Sequence, residues 1–89
     1  MWNKIEHDFG NIKAGTRIEF TFEYTGEKII RGFKASCSCI TLYPKNKTLR
    51  VVWNTRKDIP ESYESFKFIT VTYAQEELEV LTLKCTLVK

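Results

Sequence analysis

Between Thr16 and Tyr24 a large apolar side chain falls on every second residue, so that Ile18, Phe20, Phe22 and Tyr24 alternate with Arg17, Glu19, Thr21 and Glu23. A helix would scatter these aromatics around its circumference, whereas a strand sends successive side chains to opposite faces. The segment therefore predicts a strand half buried in an antiparallel sheet. The same two-residue period returns three times. Leu49, Val51 and Trp53 share one face of a strand over Thr48 to Asn54, with Arg50 and Val52 on the other. Ile69, Val71 and Tyr73 alternate against Phe68, Thr70 and Thr72, and Leu81, Leu83, Cys85 and Leu87 against Thr82, Lys84, Thr86 and Val88.

Where the alternation breaks, turn-forming residues stand. Ile5, His7 and Phe9 predict an N-terminal strand ending near Asp8, with Gly10-Asn11 and Ala14-Gly15 bracketing a short connection. Thr25-Gly26-Glu27 reads as a turn. In the next segment Ile30 and Phe33 are the expected core residues, and Gly32 marks a bulge or a close approach. Ser36-Cys37-Ser38-Cys39-Ile40 continues that strand toward the polar turn Tyr43-Pro44-Lys45-Asn46-Lys47. Thr55 to Ser65, polar and containing Pro60, reads as the longest loop and the most mobile segment. Six or seven short strands with turn signals about every 8 to 12 residues are the signature of a sandwich. The predicted fold is all-β, an immunoglobulin-like antiparallel β-sandwich of about seven short strands. At 89 residues the chain is expected to form one domain over 1–89.

Composition and charge narrow the function. With 43% hydrophobic residues the chain has the apolar material to fold. A net charge of +3, spread along the sequence and without a recognition-helix or zinc-finger motif, does not favour nucleic-acid binding. No apolar stretch approaches the ~20 residues of a membrane span, and the start lacks the apolar region of a signal peptide. The expected location is therefore the cytoplasm or a virus particle, with no membrane partner. His7 is the single histidine and has no catalytic companions, so packing or a surface position is its expected role. Asp58, Glu61 and Glu64 in the long loop, and Glu76, Glu77 and Glu79 near a turn, read as solvated charge, since acid and base work needs a cleft and shifted pKa values. No enzyme, cofactor or small-molecule substrate is expected.

His7-Asp8-Phe9-Gly10-Asn11-Ile12, then Phe20-Thr21-Phe22, then Ala35-Ser36-Cys37-Ser38-Cys39 stand in an order that resembles a bacterial family of unknown function with a D-F-G and C-G-C signature. That family is similar to the Hydin-type and sperm-protein-type immunoglobulin-like domains. The resemblance continues through Leu49 to Trp53 and Phe68 to Val71, and ends at Leu81 to Cys85. It implies an immunoglobulin-like fold. Ser38 and Cys85 stand where the family carries glycine, so a backbone feature that depends on glycine is not expected here. The lack of a leader and of long central hairpins suggests a part made for assembly, such as a virion component.

The cysteines allow two readings. On an extended strand Cys37 and Cys39 would project to one face and, with Cys85 from another strand, offer thiolates to Cu(I) or Zn, or act as a redox pair. Against this, there is no C-x-x-C pair, and an odd cysteine count together with a separation of two residues argues against a disulfide. Buried cysteines also pack as small hydrophobes, the preferred reading. Trp2 and Tyr43, apolar and near an end or a loop, are candidate anchors for a protein partner, or else caps on the core. The expected function is thus non-enzymatic: a structural or protein-interaction module of a larger assembly, or a self-associating one. A small thiolate metal-binding or thiol-redox protein is the alternative.

Overall fold

The computed structural model describes residues 2–89 and forms seven strands in two sheets, with no helix among the described residues. The strands are β1 (Glu6–Lys13), β2 (Arg17–Glu23), β3 (Ile30–Ala35), β4 (Ile40–Lys45), β5 (Thr48–Asn54), β6 (Tyr63–Tyr73) and β7 (Leu78–Val88). A four-stranded sheet has the order β1-β7-β6-β3 and a three-stranded sheet the order β2-β5-β4. The alternating sets meet between the sheets: Phe22 from β2, Leu49, Val51 and Trp53 from β5, Ile69, Val71 and Tyr73 from β6, and Leu81, Leu83, Cys85 and Leu87 from β7 are all buried in one cluster. Val52 points away from that cluster yet is buried too, flanked in register by Glu19 and Thr41.

All the pairings are antiparallel except one. β1 lies parallel to β7, with His7 opposite Leu83 and Ile12 opposite Leu87, a departure from the all-antiparallel expectation. β1 also runs on past Asp8. Gly10 does not end the strand: it sits at φ 77, a region open to glycine at little cost, where the register with β7 shifts between Asp8 and Asn11. The Asp8 carboxylate accepts the Gly10 N–H at 2.8 Å and fastens this bulge. The second irregularity falls where Gly32 announced it, between Ile30 and Gly32 of β3.

The segment 55–62 is a loop, and it is tied down. Thr55 donates its N–H and its hydroxyl to the Thr16 carbonyl at 3.2 and 2.6 Å, Gly15 donates to the Arg56 carbonyl at 3.0 Å, and Ile59 is buried in the core cluster. A stretch expected to be the most mobile thus carries a core residue. Among the described residues no helix is long and apolar enough to cross a membrane.

Candidate functional site

β6 is eleven residues long and β3 only six, and β3 leaves it at the Ala35–Ile69 pair. The chain then crosses from the four-stranded sheet to the three-stranded one through residues 36–39, a turn and not the strand extension expected. Hydrogen bonds pin this strap at both ends. Ser36 exchanges bonds with Phe68 of β6, its N–H donating to the carbonyl at 2.8 Å and its Oγ accepting the Phe68 N–H at 3.0 Å. On the other side Asn54 of β5 donates to the Cys39 carbonyl at 3.0 Å, and Ile40 donates to the Cys37 carbonyl at 3.1 Å.

Within the strap Cys37 and Cys39 are joined by a disulfide, against the expectation drawn from their spacing. The physical reason is the turn. An extended strand holds residues two apart at about 6.6 Å with parallel side chains. In the turn the Cα atoms stand 5.2 Å apart and the side chains no longer run parallel, so the two sulfurs meet. The Cys39 N–H donates to Cys37 Sγ at 3.2 Å. The third cysteine, Cys85, is free, buried on β7 opposite Ser65, and its thiol pKa is pushed up by burial and by the Asp8 charge, with Lys67 opposing. The three sulfurs are therefore not gathered into a thiolate metal site, and among the described residues no three His, Cys, Asp or Glu side chains come together in that way.

Beside the strap lies a cleft of about 350 Å³, at the place where β6 runs on without β3. Trp53, Leu87, Ser65 and the half-buried disulfide line it, and its two charged residues are Arg56 and Lys67. Lys67 shares the inward parity of Ile69, Val71 and Tyr73, so extending that alternation two residues backward would have located it. Nothing in the sequence pattern flags Arg56, whose place follows from the anchored loop.

Set against known proteins, the chain matches no family model, no curated protein and no solved structure.

The remaining candidates fall elsewhere. Trp2 is only 4% exposed and closes one end of the core instead of offering a surface. Its ring packs against Phe22, Tyr24 and Phe33, and its indole N–H donates to the Tyr73 hydroxyl at 2.9 Å. Tyr73 in turn donates to Glu79 at 2.6 Å, and burial with that bond pushes its pKa up to about 12. Tyr43 is exposed on β4, its ring covered by the Arg50 guanidinium at 4.4 Å. His7 stacks on Phe20 at 3.8 Å and meets Phe9 edge-on, as a packing residue would.

The outer face of the four-stranded sheet is the other feature of note. Phe66 and Phe68 of β6 and Leu78 and Val80 of β7 are 45, 44, 67 and 48% exposed. The β6–β7 register, with Phe68 opposite Thr82 and Val80 opposite Thr70, places them on one side of adjacent strands. Lys84 lies over the Phe66 ring at 5.7 Å and within 4.0 Å of Asp8 and 3.8 Å of Glu64, a polar border to the apolar patch.

Proposed function

We propose that this protein is a non-enzymatic, immunoglobulin-like association module that takes its place in a larger protein assembly, such as a virus particle, through the outer face of β6 and β7. The observation that carries the reading is the group Phe66, Phe68, Leu78 and Val80, turned to solvent on neighbouring strands. Soluble proteins rarely leave contiguous apolar surface exposed unless a partner covers it. The strand order supports the immunoglobulin-like label: β2-β5-β4 and β3-β6-β7 follow the sheet division of that plan, with β1 carried across to the edge of β7. Native mass spectrometry of the protein isolated from its source, without chelators or tags, tests it. A defined complex is expected. Glutamate at both Phe66 and Phe68 is expected to weaken that complex about tenfold or more while leaving the far-ultraviolet spectrum unchanged. A monomer in the native isolate removes the reading.

A second reading, thiol–disulfide chemistry at the strap, is favoured by one observation: Cys37 and Cys39 are bonded to each other at the rim of a cleft. It predicts that a small thiol reduces the folded protein and that an oxidised thiol pair restores the bond.

A further inference from the structure

A disulfide is opened when a thiolate attacks one sulfur and the other leaves, and exchange is fastest when the leaving thiolate is the better stabilised. The two sulfurs of the strap are not equivalent. Cys37 Sγ receives the Cys39 N–H at 3.2 Å, and a hydrogen bond to sulfur favours its ionised form. No matching donor reaches Cys39 Sγ among the hydrogen bonds of the described residues. The cleft that both cysteines line carries Arg56 and Lys67 as its charged residues, with Trp53 and Leu87 supplying apolar wall. Such a lining selects a ligand with a negative charge and a short apolar stem.

We propose that the strap exchanges with an anionic thiol bound in this cleft, which attacks Cys39 Sγ while Cys37 departs as the thiolate. The inference rests on the thiol–disulfide reading above and adds the direction of attack and the class of partner. In the first step the incoming thiolate forms a bond to Cys39 Sγ, and the electron pair of the broken Cys37–Cys39 bond passes to Cys37 Sγ. A second anionic thiolate then attacks the partner's sulfur in the mixed disulfide. The oxidised thiol pair leaves, and Cys39 keeps the electron pair as a thiolate. Two electrons have entered the protein and two thiols have become one disulfide, with their protons released to solvent. The bonds from Ile40 and Asn54 to the Cys37 and Cys39 carbonyls do not involve sulfur, so they keep the two thiols close for the reverse reaction.

The full oxidised chain tests this with two probes, 2-mercaptoethanesulfonate and cysteamine, supplied at equal thiolate concentration and quenched with excess N-ethylmaleimide. The sulfonate is expected to consume the disulfide about tenfold faster than the cationic probe, and the ratio to shrink toward one in high salt. Peptide mapping is expected to find the sulfonate on Cys39 and maleimide on Cys37. The Arg56→Gln/Lys67→Gln variant is expected to lose the preference, and the salt series on the unmodified chain gives the same information should that variant not fold. Equal rates for the two probes, or the sulfonate on Cys37, overturn this inference and leave the thiol–disulfide reading standing. No exchange with either probe removes both.

Discussion

Tyr73 accepts the indole proton of Trp2 and gives its own to Glu79, which makes one side chain the link between the chain's beginning and the last strand. An indole is stable inside a core only when its N–H finds an acceptor, and this one does. Trp2→Ala is expected to lower stability by about 3–5 kcal/mol, a large part of what a domain of this size possesses. Tyr73→Phe keeps the packing but strands the indole donor, and about 1–3 kcal/mol is expected. Chemical denaturation of both variants measures the difference. His7 acts through charge. Burial lowers its pKa below the ordinary value, the nearby Lys4 ammonium lowers it further, and Asp8 opposes in part. The unfolded chain therefore binds a proton more readily than the folded one. The stability that His7 contributes is full above about pH 6.5 and is lost as pH falls through the depressed folded value. His7→Gln is expected to flatten the pH dependence of the unfolding midpoint between pH 7.5 and 5, and an unchanged slope would show that the ring is solvated in both states.

Two elements show what decides whether a strand is legible. β2 alternates without interruption because it has one buried face, β5 departs from strict alternation only at Val52, buried on its other side, and both lie within a residue of where the pattern puts them. The pattern ends β1 near Asp8, since Gly10-Asn11 has the composition of a turn; only the Asp8 side chain and the parallel partner make it a bulge. The contrast with Gly32 gives a prediction. A Cβ would meet nothing at either position, but Gly10 holds a positive φ and Gly32 does not. Gly10→Ala is expected to cost about 1–2 kcal/mol of backbone strain, and Gly32→Ala to be neutral or slightly stabilising. Equal thermal shifts would refute the strain argument. The strap departs from its pattern for a related reason. Ala35-Ser36-Cys37-Ser38-Cys39 has the polarity of a strand, and its turn is set by bonds to Phe68 and Asn54, residues far away in sequence. Arg56 was invisible on the same ground, whereas Lys67 stood in a parity that a longer reading of β6 reveals.

For the molecule as a whole the question is whether the disulfide holds the sandwich together or is free to open. It sits at the crossover between the sheets, where a staple would be useful, but it closes a very short loop. Cross-linking three consecutive residues removes little disorder from the unfolded chain, about 1.6 kcal/mol by loop entropy, against about 3 kcal/mol for a 15-residue loop. Most of the core side chains come from β2, β5, β6 and β7, with Cys37 and Cys39 only packed against them, and the strap's backbone bonds to Phe68 and Asn54 do not involve the sulfurs. This separates two cellular settings. In an oxidising one the bond is expected to persist and to add modestly to stability; in a reducing one it is expected to open without loss of the fold, leaving a dithiol beside the cleft that Arg56 and Lys67 line. Replacing both Cys37 and Cys39 by serine is therefore expected to lower the thermal midpoint by only about 10 °C, as is reducing the unmodified chain. Cys85, buried and with a raised pKa, is expected to stay unalkylated in both until the chain unfolds. A collapse of the fold on reduction would make the bond a structural staple, and a bond whose opening unfolds the domain cannot cycle as an exchange site.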